Sequence, residues 1–397
     1  MVTYTGKLVL APMVRAGELP TRLLALKYGA DLVWSPEIID KKLIQCKRQV
    51  NDKLKTIDFV APSSNDNKPP CVVFRTFPDA ERGRLIFQMG TSTPSLAVEA
   101  AMVVIKDVDG IDVNAGCPKH FSIHSGMGAA LLKTPETLCS ILSSLVEKVG
   151  RPHEKPISVK IRILDSEELT LNLVKKLCGT GISNLTVHCR TTPMRNRQAP
   201  IRNYVPSIYK ICQANNVSLI MNGAIQSLEH FRQLRKQMDL PETIGGMMAD
   251  CAEANPTVFS EAPLSWPDTA RAYLDLASKF DHSVNNVKYM LSRIIPGKSK
   301  FYQYFTRCKT MEEVMYVSQQ MGSDGEVLSD PTDYLAKRRE HERILKQKAG
   351  DMKAKAKQKQ DQTTANKDSA EAELTNSEKR REGGLEVGMG KKRAKIE

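Results

Sequence analysis

Eight short runs rich in Val, Ile and Leu, separated by stretches with apolar residues at helical spacing, constrain this chain more than any other feature. The runs are Lys7–Leu10, Asp31–Trp34, Leu85–Gln88, Gly110–Asn114, Ile157–Ile161, Asn184–His188, Ser218–Asn222 and Gly245–Ala249. A run that is apolar at consecutive positions needs cover on both faces, as a parallel strand flanked by helices has. Leu19–Tyr28, Thr93–Ile105, Pro135–Val149 and Leu171–Cys178 supply helical patterns between them. Eight such units within about 260 residues predict a (β/α)8 TIM barrel. A doubly wound open sheet is the alternative, and the regular spacing favours the barrel. Cys71–Arg75, ahead of the third run, predicts an inserted β element.

The distinctive polar residues sit at or just past the C-terminal ends of these runs: Pro12-Met13, Gln88, Asn114, Cys117, Lys160, His188 and Asn222-Gly223. All strand tips of a barrel converge at that end, where barrel enzymes place their chemistry. A purely structural pattern would scatter such residues over both ends, so the convergence points to an enzyme.

From Trp266 the strands stop and helical periodicity continues, as in Val284, Val287, Met290, Leu291 and Ile294. This divides the chain into a barrel over 1–265, a helical domain over 266–348 and a Lys-rich tail over 349–397. The helical domain interleaves Lys288, Arg293, Lys298, Lys300 and Arg307 with Tyr289, Tyr302 and Tyr304. Cations that meet phosphates and rings that stack on bases suit RNA. Taken alone, the region reads more simply as a solvated basic face over tyrosines in a bundle core. The tail lacks aromatics and cannot bury a core, which predicts disorder; its block Lys353, Lys355, Lys357, Lys359 fits a solvated helix or a tether. The formal net charge of +13 exceeds what a small-metabolite enzyme needs and favours a polyanionic partner.

The nine cysteines form no CxxC pair and are odd in number, against a zinc ribbon or a disulfide framework. No structural metal is expected. No apolar run reaches about 18 residues and no signal peptide opens the chain, so the expectation is a monomer without a membrane span, in the cytoplasm. The terminal Lys391-Lys392-Arg393-Ala394-Lys395 resembles a nuclear-import signal.

The most informative segment is Gly110-Ile111-Asp112-Val113-Asn114-Ala115-Gly116-Cys117-Pro118-Lys119, followed by Gly126-Met127-Gly128-Ala129-Ala130-Leu131-Leu132. A strand ends in Asn114, a loop presents Cys117, and glycines lead onward. This segment resembles the tRNA-dihydrouridine synthase family. Ala11-Pro12-Met13-Val14-Arg15, Lys41–Arg48, Phe87-Gln88-Met89-Gly90, Val159-Lys160-Ile161-Arg162 and Val187-His188-Cys189-Arg190 match it in order. The matches run from about Leu8 to Pro256, and their wording is closest to the eukaryotic branch acting at position 20 of the D-loop.

The resemblance implies FMN at the barrel mouth, with NADPH or NADH as reductant and tRNA as substrate. Pro12, Met13 and Val14 would line the flavin, Gln88 would bond its edge, Lys160 would sit by its pyrimidine edge, and His188 would face that side of the flavin or the substrate base. Asn222, Gly223, Ala224, Ala249 and Asp250 would receive the phosphate through backbone N–H groups. Cys117 would protonate C5 of the uracil as a general acid, a role needing the thiol form. Asn114, Arg190, Arg195 and Arg197, with Lys288 and Arg293 of the helical domain, are the candidate RNA contacts; for the loop arginines a surface-charge role carries comparable weight. The chain departs from the family at Asp250, where an arginine is usual; a carboxylate facing a phosphate would repel it. A flavin barrel acting on a small pyrimidine, of dihydroorotate type, and a tRNA-binding protein without flavin are the other readings. The helical domain and basic tail weigh against the former, and Cys117, Lys160 and His188 against the latter.

Overall fold

The computed structural model describes residues 2–63 and 70–383. Its strands, in chain order, are β1 (Leu8–Leu10), β2 (Leu32–Trp34), β3 (Ile38–Ile39), β4 (Lys47–Asn51), β5 (Thr56–Ala61), β6 (Cys71–Thr76), β7 (Leu85–Gly90), β8 (Gly110–Ala115), β9 (Ile157–Arg162), β10 (Asn184–His188), β11 (Ser218–Asn222) and β12 (Gly245–Met248). Eight of them pair in parallel in the order β2-β1-β12-β11-β10-β9-β8-β7, and β2 pairs again with β7 to close the barrel. The eight apolar runs are these eight strands. Every residue of β1, β2, β7 and β12 is buried, which is why their sequences show no period-two alternation.

Closure between β2 and β7 has an irregularity that shapes the mouth. Val33 pairs with Leu85 and Trp34 with Ile86; the chain then leaves the ladder at Ser35-Pro36-Glu37 and returns as β3, with Ile38 opposite Met89. The Ser35 hydroxyl accepts from the Gln88 N–H at 2.9 Å, filling the gap in the ladder.

The inserted element anticipated at Cys71–Arg75 is the third strand of an antiparallel sheet ordered β4-β5-β6. β4 carries little apolar signal: it reads Lys-Arg-Gln-Val-Asn and is almost wholly exposed. Phe59 of β5 and Phe74 of β6 stack in the core at 5.6 Å, and charge adds a second tie. Arg75 reaches both oxygens of Asp58 at 2.6 Å and donates to the Phe280 carbonyl at 2.5 Å.

Helices at Trp266–Lys279, Val284–Ile294, Lys300–Arg307 and Met311–Gln319 follow the last strand, in one compact unit with the barrel over Met1–Asp330. The Arg15 guanidinium lies 4.1 Å from the centre of the Tyr289 ring, and the Asn286 amide donates to the Arg15 carbonyl at 2.7 Å. In the second unit, Thr332–Gly383 is helical; Leu335 is buried near its start, but residues 349–358 are all exposed, so that stretch forms without a packed face. The basic cluster at 391–395 lies outside the described residues. Among the described residues no helix is long and apolar enough to cross a membrane, and no three His, Cys, Asp or Glu side chains are grouped to hold a metal ion.

Candidate active site

Parallel strands all point their C-terminal ends one way, so the side chains at Gln88, Asn114, Lys160 and His188 share one rim. Register makes this concrete: Lys160 stands opposite Asn114 on one side and Thr186 on the other, and His188 opposite Asn222.

Beneath the rim lies a polar chain in the barrel interior. Asp112, fully buried, accepts from Ser158 Oγ at 2.6 Å and from Gln88 Nε2 at 2.8 Å. Gln88 Oε1 accepts from Asn114 Nδ2 at 3.1 Å, and Asn114 Oδ1 accepts the backbone N–H groups of Gly116 and Cys117, both at 3.0 Å. The chain has one direction, from the N–H groups of the Cys117 loop to the Asp112 carboxylate, and it fixes which way each amide faces. Asn114, expected at the RNA, thus spends its amide on holding the Cys117 loop. Arg162 holds the same loop from the other side, with Nε donating to the Gly116 carbonyl at 2.9 Å and Nη1 to the Thr191 carbonyl at 2.9 Å. Gly128 closes beneath it with φ +58, where an added Cβ would lie 2.7 Å from the Cys117 carbonyl oxygen.

Electrostatics around the loop favour a protonated thiol. Burial raises the Cys117 pKa and the nearby Glu37 carboxylate raises it further, against smaller opposing effects of Lys119 and Ser122. Burial pushes Asp112 up to about 6, with the Ser158 and Gln88 hydrogen bonds and Lys160 opposing. Lys160 keeps partial solvent access but is packed inside the mouth; desolvation, then Arg162, brings it down to about 8. His188 is pushed down to about 2 by burial and the charges of Lys160, Arg162 and Arg190. Its Nε2 lies 3.2 Å from Arg190 Nη1. A guanidinium can only donate, so Nε2 accepts, and neutral His188 carries its proton on Nδ1.

Next to His188 a cavity of about 400 Å³ is lined by Arg190, Asn222, Gly223, Ala224, Ala249 and Asp250 among others. Gly223 has φ +127, and a Cβ there would meet His188 Cδ2 at 3.3 Å, so the backbone can approach a ligand only because the side chain is absent. Asp250 does not face this cavity as a bare anion: Asn196 Nδ2 donates to its two oxygens at 3.2 and 3.0 Å. Arg190 is buried, with Nε on the Gln198 carbonyl and Nη2 on the Asn196 carbonyl, each at 2.8 Å. It organises the loop after β10 rather than standing on the surface as an RNA contact.

A larger cavity of about 920 Å³ opens beside the Cys117 loop, with Lys119, Lys133, Arg162 and Arg195 in its lining. Arg195 and, two residues on, Arg197 are exposed. Of the expected contacts in the helical segment, Lys288 Nζ donates to the Cys308 carbonyl at 2.7 Å, while Arg293 stays exposed and pairs with Glu253 at 3.1 Å. Pro12 and Met13 are half-buried at the end of β1, and Val14 is 45% exposed.

Sequence reasoning missed Glu37, Asp112, Ser158 and Arg162 as site residues. Asp112 had a signal, a carboxylate within an apolar strand with no room for a free charge. Glu37 follows a strand end as the others do, but nothing local ties it to Cys117.

A family model described as dihydrouridine synthase matches residues 31–347. A tRNA-dihydrouridine(20) synthase of the NAD(P)+ type from Saccharomyces cerevisiae is 60% identical over 369 residues, 91% of this chain and 95% of the relative. One of the same description from Schizosaccharomyces pombe is 46% identical over 320 residues, 79% of this chain and 65% of the relative. A human protein described as tRNA-dihydrouridine(20a/20b) synthase-like is 30% identical over 309 residues, 75% of this chain and 86% of the relative.

Proposed function

The chain belongs to the dihydrouridine synthase family, and from that premise we propose that it reduces the C5–C6 bond of the uridine at position 20 of tRNA, using FMN and NADPH or NADH. The observation that carries the reading is a loop-held thiol, Cys117, kept in its protonated form at a barrel mouth that also holds a desolvated lysine and a neutral histidine.

The residues present fit a flavin mononucleotide. The Cβ-free cradle at Gly223 and the backbone of Ala224 and Ala249 suit a phosphate, and the nearby Arg190 charge favours an anion. The Asn196 amide screens Asp250, which answers the repulsion that a carboxylate at this position would otherwise impose. Pro12, Met13, Gln88, Lys160 and His188 would hold the ring system. When bound, FMN supplies the hydride that adds to C6 of the uracil.

The protein's own part is proton delivery and charge placement. Cys117 Sγ holds the proton destined for C5, and its raised pKa keeps the thiol loaded at neutral pH. Lys160 places a positive charge where negative charge accumulates, and its setting in a desolvated mouth strengthens that effect. His188 offers Nδ1–H as a donor without adding a second cation. The target base must leave its stack to reach this mouth. The cationic cavity around Lys119, Lys133 and Arg195 suits the strand on either side of it. In the helical segment the exposed Arg293, Lys298, Lys300 and Tyr302 are the groups placed to face RNA, while the Lys288 ammonium is taken by the Cys308 carbonyl.

The test is a single-turnover assay with purified protein, NADPH and tRNA lacking dihydrouridine, run beside Cys117→Ala, with the absorbance spectrum taken first. A yellow protein that reduces one D-loop uridine, and a mutant that forms little product, support the reading. A protein that stays inactive on tRNA after FMN is added overturns it, and turnover of dihydroorotate instead would favour a small-pyrimidine enzyme.

A further inference from the structure

Glu37 has a position that neither folding nor the chemistry above accounts for. The excursion Ser35-Pro36-Glu37 interrupts the closure of the barrel between β2 and β7, and the chain then rejoins the ladder with Ile38 opposite Met89. The interruption carries a carboxylate to the catalytic rim of an otherwise closed barrel. Its Oε1 is buried with no hydrogen-bond partner. Oε1 sits where a Cβ on Gly90 would come within 2.8 Å, so the absence of a side chain at Gly90 makes the space. The carboxylate lies close enough to the Cys117 thiol for each group to shift the titration of the other. A buried carboxylate oxygen without a hydrogen-bond partner is costly to keep, because it has given up water for nothing in return.

We infer that Glu37 acts through Cys117 as its proton-return partner: it holds the thiol protonated before reaction and reprotonates it afterwards. This rests on the reading of Cys117 as the acid that protonates C5. In the forward step the S–H bond breaks and a C–H bond forms at C5, leaving a thiolate. Thiolate and carboxylate then share one desolvated space, and two anions so close cannot both persist. A solvent proton is taken up on Glu37, which keeps partial solvent access; its O–H bond then breaks as the S–H bond re-forms. No oxidant or reductant is involved. The groups facing the pair are Lys119 and Lys160 toward Glu37, and Lys119, Ser122, Lys160 and Arg162 toward Cys117. Burial raises the Glu37 pKa, against smaller opposing effects of Cys117, Lys119 and Lys160, which favours its taking up a proton.

Two measurements test this with Glu37→Gln. The first is the pH dependence of Cys117 alkylation by iodoacetamide, followed on the Cys117 peptide by mass spectrometry and independent of flavin and tRNA. Removing the adjacent negative charge should lower the midpoint by about one pH unit or more. The second compares the first turnover with later ones: the first should be nearly retained, because the thiol starts loaded, and steady turnover should fall on the order of tenfold or more. Gly90→Ala crowds the same carboxylate without altering it; it should shift the alkylation midpoint in the same direction and serves if Glu37→Gln does not fold. An unmoved midpoint, or equal losses in first and later turnovers, overturns the inference. Wild-type protein that forms no dihydrouridine would instead sink the proposed activity while leaving the alkylation result to stand.

Discussion

Replacing Asp112 by Asn should make the protein more stable at neutral pH and less active. Asp112 is fully buried, and burial outweighs its hydrogen bonds from Ser158 and Gln88, raising its pKa from 3.8 to about 6. The native state therefore holds a proton between those values that the unfolded chain has released. Stability falls as pH rises through that window, and the loss is complete above it. At about 1.4 kcal/mol per pH unit the interval amounts to about 3 kcal/mol. Asn is isosteric: its Oδ1 can accept from Gln88 Nε2, and its Nδ2 can donate to Ser158 Oγ. The predicted signature is thus a difference. Variant minus wild-type unfolding free energy, from urea titrations, should rise by about 2 kcal/mol between pH 4 and pH 7. A difference that stays flat across that range would refute the reasoning. The same change removes an anion that raises the Lys160 pKa, so Lys160 should titrate below about 8 and uridine reduction should weaken. The carboxylate is kept, on this account, for its charge and for the direction it gives the amide chain.

Gly128→Ala should disorder the Cys117 loop: with φ +58 and only 2.7 Å to the Cys117 carbonyl, the methyl has no room, and a loss of about 1–3 kcal/mol in stability should accompany faster alkylation of Cys117. Arg195→Ala with Arg197→Ala should leave any reaction on free uridine unchanged, weaken tRNA binding, and flatten the salt dependence of that binding by a slope of about 1–2; an unchanged slope would assign both to bare surface.

Much of this protein was legible in its sequence. Strands buried on both faces announce themselves as apolar runs, so the eight barrel strands and the rim carrying Cys117, Lys160 and His188 could be read directly. Signals of that kind are local, since they come from which residues a strand must bury. Polar or exposed strands give none, and β4 passed unseen for that reason; β5 is half apolar, but Asp58 interrupts its run. Side-chain type alone does not show which RNA-compatible groups the fold engages: Asn114, Arg190 and Lys288 hydrogen-bond within the protein, whereas Arg293 stays exposed beside Glu253.

Tertiary structure alone decided the electrostatics. That Glu37 meets Cys117 depends on closure between the second and seventh strands, which brings together residues far apart in the chain. That Asp250 is screened depends on Asn196 crossing from the loop after β10. His188 is neutral because three cations crowd it in a desolvated mouth, and Lys160 is half-way to losing its proton at mildly alkaline pH for the same reason. Burial patterns are written residue by residue along a strand. The protonation state of a group is set by every charge within a few ångströms, and only the closed barrel determines which charges those are.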